Sequence, residues 1–385
     1  MKIISGSNIP FAAECFSTIG DVEVYDSKEI TSKLVADADM LLVRSVTRVN
    51  SDLLAGSKVR FVGTASIGVD HIDIDYLRSR NIGFASAPGA NANSVVEYVV
   101  AALLNVAQKL QLELEGKSIG VIGVGSIGGR VVRKCSKLGM QAYLNDPPLQ
   151  RETRDAKYRP IEELYGCDFI TLHTPLTFEG VDKTYHLAGE QFFKSLKEGC
   201  VFINTSRGPV VDSMALKDVI EADKFKAVVL DVWEGEPNID TELLKMVDIG
   251  TPHIAGHSFD GKVGGMYMLY KAACEYFGLE VKVESGTFLP KPDAVKLKIN
   301  PQLVSEQDVL REAVEKVYDI KKDDSALREI LDKAAGGRGE FFSQLRENYP
   351  IHREFQNTPI VLDNAFGTVG EKLAGIGFKV LGEKE

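Results

Sequence analysis

Apolar residues in this chain come in short contiguous runs separated by mixed, turn-rich stretches. In roughly the first 110 residues, "MKIIS", "ADMLLVRS", "VRFVGTAS" and "IGFASAP" each hold such a run, with helical stretches expected around 10–18 and 51–55. Runs of this length without alternation read as strands buried on both faces, and strands that alternate with helices build a parallel sheet. A longer apolar stretch, "NSVVEYVVAALLNVAQKLQL", predicts a helix from Asn93 to about Leu112. The strand–helix pattern restarts at "KSIGVIGVGSIGGRVVRKCSKLG". It continues through strands in "MQAYLND", "CDFITLHTP", "CVFINTSRG", "AVVLDVW" and "VDIGTPH".

Two such halves predict an α/β protein with two doubly wound, Rossmann-like parallel-sheet domains. A helix expected over Phe259–Phe277 returns to the first half. The first domain is therefore residues 1–95 with 256–285, and the second is residues 96–255. Beyond Pro290 the texture changes. "PQLVSEQDVLREAVEKVYDI" and "DDSALREILDKAAGG" read as helices, "PIVLDN" and "GFKVL" as short strands, so residues 286–385 form a separate C-terminal α+β domain.

Composition narrows the class. At 385 residues, two or three domains are expected. A net charge of −10 with no dense Lys/Arg block argues against a nucleic-acid footprint or a polybasic membrane patch. The most apolar run, "YVVAALLNVA", has about half the length a membrane span needs, and "MKIISGSNIPF" lacks a signal peptide's apolar region. A cytoplasmic location is expected. The five cysteines form no C-x-x-C pair, which fits reduced thiols and no metal site.

The first chemical motif is Gly123-x-Gly125-x-x-Gly128 in "VIGVGSIGG". Glycine is common, so the pattern alone is weak, but here it follows an expected strand and opens an expected helix. The first glycine permits a tight turn, the second lets the backbone approach a pyrophosphate, and the third lets helix and strand pack closely. Amides at the helix start then meet the anion. Asp146 ends the next strand, where an acidic side chain accepts from ribose hydroxyls and repels a 2′-phosphate, so NAD is expected over NADP.

Three polar residues follow later strands. Arg207 lies in "SRGPVVD", Glu236 in "EGEP" and His253 in "TPHIAG". An arginine grips a carboxylate through two parallel hydrogen bonds, and a histidine takes a hydroxyl proton while hydride leaves the same carbon. A carboxylate beside the imidazole orients it and favours its cation. Singly, Arg207 also reads as a surface ion pair, Glu236 as a solvated loop acid and His253 as a turn residue. Together in a dinucleotide-binding chain they read as a hydride-transfer site for a 2-hydroxy acid.

"GVGSIG", "INTSRGPVVD", "LDVWEGEP" and "TPHIAG" occur in an order and spacing that resemble the D-isomer-specific 2-hydroxyacid dehydrogenase family over residues 1–285. The resemblance implies Arg207 as carboxylate clamp, His253 as acid/base and Glu236 as the partner acid of His253. It implies a dinucleotide lined by Gly123, Gly125, Ser126, Ile127, Gly128, Asp146, Thr174, Thr205, Ser206, Arg207, Asp231 and Gly256, with Asp231 near the nicotinamide amide. "HTPLTFEGVDKTYHL" and "VDIGTPHIAGHSFDGK" are most similar to a branch that oxidises 4-phospho-D-erythronate at C2 in vitamin B6 synthesis. In that branch the positions of Ser45, Ser66 and His257 contact substrate; a threonine is common at the second and a tyrosine usual at the third. The tail resembles the branch's dimerisation domain, which implies a homodimer. A dehydrogenase for 3-phosphoglycerate and a non-catalytic NAD-sensing protein are the alternatives.

Overall fold

The computed structural model of the chain describes residues 1–290, 297–299, 305–362 and 367–381. Its first sheet joins β1 (Lys2–Gly6), β2 (Asp21–Tyr25), β3 (Met40–Val43), β4 (Phe61–Thr64) and β5 (Gly83–Ser86) in the order β2-β1-β3-β4-β5. All its pairs are parallel. The apolar runs Met40–Val43 and Phe61–Thr64 are buried along their whole length, as unalternated strands must be. β2 was not foreseen. "DVEVY" alternates valine with charged residues at a sheet edge and is only partly buried, so it carries no apolar run.

The Phe259–Phe277 helix packs Met266, Leu269 and Tyr270 against Ile3, Met40 and Phe61 of that sheet. Residues 1–91 and 257–291 accordingly form one compact unit.

The second sheet joins β6 (Ser118–Ile122), β7 (Gln141–Asn145), β8 (Phe169–Leu172), β9 (Cys200–Asn204), β10 (Phe225–Leu230) and β11 (Ile249–Gly250). It runs β11-β10-β9-β8-β6-β7, again all parallel. In both sheets the strand order reverses beside the first strand, at β1/β3 and at β6/β8. Loops leave such a point in opposite directions, and ligands bind there beyond the carboxyl ends.

A small third sheet is built from β12 (Leu297–Ile299), β13 (Ile360–Leu362) and β14 (Val380–Leu381). Of the strand expected in "PIVLDN", Asp363 and Asn364 lie outside the described residues, as do Pro301–Val304 of the expected helix before Val317. The tail does not pack as a module of its own. Val99, Leu103 and Val121 share one apolar cluster with Leu310, Val314, Phe355 and Leu373, and residues 92–256 and 292–385 form the second compact unit. Short amphipathic helices cannot bury their apolar faces alone, and the flank of the second sheet supplies the missing partner.

The tail also completes the two-residue strand β11. From the Ile320–Arg328 helix, Asp324 Oδ1 accepts a hydrogen bond from Gly250 N at 2.7 Å. Arg328 pairs with Asp324 at 2.8 Å and donates to the carbonyls of Leu244 and Val247 at 3.0 and 2.9 Å. Among the described residues no helix is long and apolar enough to cross a membrane, and no group of three His, Cys, Asp or Glu side chains could hold a metal ion.

Candidate active site

The glycine loop after β6 has the geometry a pyrophosphate requires. Gly123 has φ +85°, and a Cβ there would stand 2.8 Å from the His173 carbonyl carbon. At Gly128 a Cβ would lie 2.0 Å from the Gly123 oxygen, so helix and strand meet only through hydrogen atoms. Gly125 is different: a Cβ there meets nothing within 4 Å, and its exposed backbone is the side a ligand can approach. Ser126 and Ile127 lead from it into the Gly128–Lys137 helix. Across the switch point, after β8, the buried Oγ1 of Thr174 has no hydrogen-bond partner among the described residues. An open glycine backbone and an orphaned hydroxyl at one switch point fit a bound dinucleotide.

Asp146 does more than the sequence foretold. Its Oδ2 accepts from Val124 N at 2.8 Å and its Oδ1 from Leu149 N at 3.0 Å, which caps the Pro147–Thr153 helix. The carboxylate therefore braces the glycine loop, and each oxygen keeps a lone pair for a ribose hydroxyl.

Behind Thr174 lies a histidine that sequence reasoning passed over. His173 bonds Thr171 Oγ1 at 3.0 Å and Thr205 Oγ1 at 3.2 Å, tying the end of β8 to the loop after β9. Burial pushes its imidazole down to about 3, so it serves as a neutral strut. The available signal was its place one residue past a buried strand, next to Thr174.

The loop after β9 turns on Asn204, whose Oδ1 accepts from Ser206 N at 3.0 Å and Ser206 Oγ at 2.7 Å. Asn204 Nδ2 donates to the Arg207 carbonyl at 3.2 Å, and Arg207 Nη1 donates to the Ser206 carbonyl at 2.7 Å. Thr205 and Ser206 are buried while Arg207 is partly exposed. Gly208 then packs backbone to backbone on the next loop, where a Cβ would sit 1.9 Å from the Trp233 oxygen. That close approach brings the arginine loop against the loop of Glu236.

Glu236 spends one oxygen on its own loop and one on the histidine. Oε1 accepts from Trp233 N at 2.7 Å, and Oε2 lies 2.8 Å from His253 Nδ1. Burial works to raise the Glu236 carboxyl, but the His253 charge and hydrogen bond, the Trp233 amide and Arg346 outweigh it and hold the group below its ordinary range. It is therefore ionised. In the neutral ring the proton sits on Nδ1, facing the ionised Glu236, and Nε2 is the nitrogen left to accept another.

The turn that aims His253 hangs on Asp231. His253 has a left-handed φ of +55°, and its N–H donates to the Asp231 carbonyl at 2.7 Å. The Asp231 carboxylate, 1% exposed, accepts from Thr251 Oγ1, Ile254 N and Ala255 N at 2.7, 2.8 and 3.0 Å. Tyr98 OH joins through Thr251 Oγ1 at 2.7 Å, and Gly256 closes this unit of the chain. Burial pushes the Asp231 carboxyl up, against the His253 charge and those three hydrogen bonds.

The structure thus brings Arg207, Glu236, His253, Asp231, Asp146, Thr174, Thr205, Ser206, Gly256 and the glycine loop into one compact unit. Ser45, Ser66 and His257 belong to the other. Ser45 is exposed just past β3. Ser66 Oγ lies 2.7 Å from Thr64 Oγ1 and donates to the Gly68 carbonyl at 3.1 Å; His71 Nε2 meets the same threonine at 2.9 Å. His257 stands at the start of the segment that re-enters this unit, just before the Ser258 N-cap.

The chain is similar to known proteins over most of its length. Residues 96–255 match the family described as D-isomer specific 2-hydroxyacid dehydrogenase, NAD binding domain, and residues 288–377 match a domain of unknown function. A relative from Cronobacter sakazakii, named erythronate-4-phosphate dehydrogenase, is 43% identical over 94% of this chain and 95% of its own. A relative of the same name from Escherichia fergusonii is 42% identical over 99% of both chains. The chain belongs to the D-isomer-specific 2-hydroxyacid dehydrogenase family. Its second compact unit contains the family's NAD-binding domain, and the protein is an NAD-dependent 2-hydroxyacid dehydrogenase. Among solved structures, an NAD-bound 3-phosphoglycerate dehydrogenase from Entamoeba histolytica superposes with a TM-score of 0.62 at 27% identity, covering 75% of this chain and 99% of that one.

Proposed function

We propose that this dehydrogenase oxidises 4-phospho-D-erythronate at C2 to the 2-oxo acid, a step of vitamin B6 synthesis. The observation that carries the reading is the full-length similarity, tail included, to relatives named for that substrate. When bound, NAD supplies the acceptor for the hydride from C2. The glycine loop, Ser126 and Ile127 would hold its pyrophosphate, Asp146 its ribose, and Thr174, Thr205, Ser206, Asp231 and Gly256 the remainder.

The chain's own groups do the rest. Arg207 holds the substrate carboxylate, and its planar fork fixes the acid beside the reacting carbon. His253 takes the C2 hydroxyl proton at Nε2 as the bond to hydride breaks, and the ionised Glu236 orients the ring and balances the imidazolium that forms. Ser45, Ser66 and His257 are read as further substrate contacts. The tail supports a homodimer by its likeness to a dimerisation domain, which light scattering on the intact chain tests. Five buried, unpaired cysteines fit a reducing compartment, and we place the enzyme in the cytoplasm.

Following NADH absorbance with a panel of phosphorylated and plain 2-hydroxy acids tests the assignment. The four-carbon phosphorylated acid should exceed 3-phosphoglycerate in kcat/KM by at least about tenfold, the effect of one or more buried donors left unpaired by the shorter acid. Equal efficiency for the two would refute the substrate.

A further inference from the structure

Glu236 hangs from a loop with a soft joint in it. The loop follows β10 and is fixed at Trp233, whose indole Nε1 donates to the Thr251 carbonyl at 2.9 Å and whose carbonyl packs on Gly208. Past Trp233 the chain runs out through Glu234 and the exposed Gly235, which has φ +81°, before Glu236 turns back to His253. A glycine in that conformation permits a turn without directing it. Keeping Glu236 Oε2 at 2.8 Å from His253 Nδ1 calls for a further tie between Trp233 and Glu236, and Glu234 is the residue placed to make it.

Glu234 is tied to the arginine loop by a second histidine–carboxylate pair. His186 Nε2 lies 2.7 Å from Glu234 Oε1 and is the donor, since a carboxylate only accepts. The other oxygen, Oε2, accepts from Ser213 N at 3.2 Å, at the start of the Ser213–Glu221 helix that Asp212 caps. His186 is itself held from several sides. Its backbone N–H donates to the Pro209 carbonyl at 2.9 Å, two residues past Arg207, and Ala188 N continues the pairing to the Val210 carbonyl at 3.0 Å. Tyr185 stacks on the imidazole with ring centroids 4.0 Å apart, and Nδ1 faces Asp212 Oδ2 at 3.7 Å. The residue has φ +52°, a left-handed backbone that a side chain other than glycine keeps only where its surroundings enforce it. His186 thus presents its N–H to the loop of Arg207 and its ring to the loop of Glu236.

We propose that His186 and Glu234 are a positioning pair for proton transfer. Their hydrogen bond fastens the joint before Glu236 to the pinned arginine loop, and so keeps the Glu236 carboxylate aimed at His253. The proposal rests on the roles given above to Glu236 and His253 and deepens them. Both members act through Glu236 and take no part in the chemistry themselves.

The test uses the full chain and whichever acid of the panel above it oxidises fastest, so the identity of the substrate does not enter. H186N keeps the left-handed backbone, which asparagine tolerates, but its amide is too short to reach Glu234. H186N and E234A should each lower kcat by about tenfold or more, the effect of misplacing a group near the reaction. KM for the acid and Kd for NAD should stay within about twofold. H186Q, whose amide has the reach of Nε2, should recover part of the loss, and E234Q, which keeps one acceptor, should fall between E234A and the wild type. H186N/E234A should be no slower than E234A, and in an E236Q background E234A should cost less than about twofold further, because the group it positions is already disabled. A pair that serves only stability would lower the melting temperature and leave kcat within about twofold of the wild type, and that result overturns the proposal. Equal losses with and without E236Q overturn it too, since the pair would then act elsewhere. Wild-type turnover in E236Q itself removes the role of Glu236, and the positioning pair falls with it.

Discussion

His253 shows how much of this site depends on single hydrogen bonds. Its ring is oriented by one carboxylate at 2.8 Å and its backbone by one carbonyl at 2.7 Å. His253→Asn removes the proton acceptor and should lower kcat by roughly 10²–10⁴-fold. NAD affinity, measured by fluorescence titration, should stay within about twofold, because the glycine loop is untouched; a variant that keeps most of its turnover would refute the role. His173 and His71 support a second expectation, about pH. Burial lowers them to about 3 and about 4. The unfolded chain therefore binds protons that the folded chain refuses, so stability is full above ~6.5 and falls as pH drops, by at most about 1.4 kcal/mol per pH unit for each group. Glu236, held below its ordinary value, adds its own loss only at lower pH still, below ~4.5. Urea unfolding from pH 7 to 5 should show a slope that H173N reduces and H71N/H173N reduces most. An unchanged slope would mean that neither ring stays neutral in the fold.

At the scale of elements, the strand that leads to His253 leans on a helix far away in sequence. β11 has two residues and a free edge, and Asp324 of the Ile320–Arg328 helix takes the Gly250 N–H that no further strand accepts. Three residues past Gly250 comes His253. Asp324→Ala should leave that N–H and the Arg328 guanidinium without their partner, at a cost of ~1–3 kcal/mol in denaturant unfolding. If His253 is the proton acceptor proposed above, the variant should lower kcat more than it weakens NAD, because the strand that loosens leads to His253 and not to the glycine loop. Equal kinetics in D324A would make the tail's contact with β11 purely structural.

For the whole molecule, two compact units with separate cores imply two unfolding steps. NAD held by the glycine loop should stabilise one of them. At a free concentration of 100 times Kd the gain is about 2.7 kcal/mol. Calorimetry should show the transition of residues 92–256 with 292–385 moving up with NAD while the other stays. Since Leu310, Val314, Phe355 and Leu373 belong to the core of the NAD-binding unit, a chain cut after residue 291 should lose the transition that responds to NAD. A truncated chain that still binds NAD and melts sharply would count against the shared core.

Much of this was legible in the amino-acid order because it is local. A buried parallel strand needs a short apolar run, a pyrophosphate turn needs glycine at three spacings, and both signals lie within a few residues of chain. The runs in β3, β4, β6, β8, β9 and β10 and the motif at Gly123–Gly128 were therefore readable directly, and so were Arg207, Glu236 and His253 as strand-end side chains. What the folded chain alone decided concerns partners distant in sequence. Nothing near Asp146 announces that it also braces Val124, and nothing near Gly250 announces Asp324. The tail's amphipathic helices look the same in sequence whether they cover one another, a second copy or the flank of the NAD-binding sheet. An apolar face specifies that it must be buried, while a buried polar group must find a particular partner, and which surface or partner is met depends on the path of the whole chain.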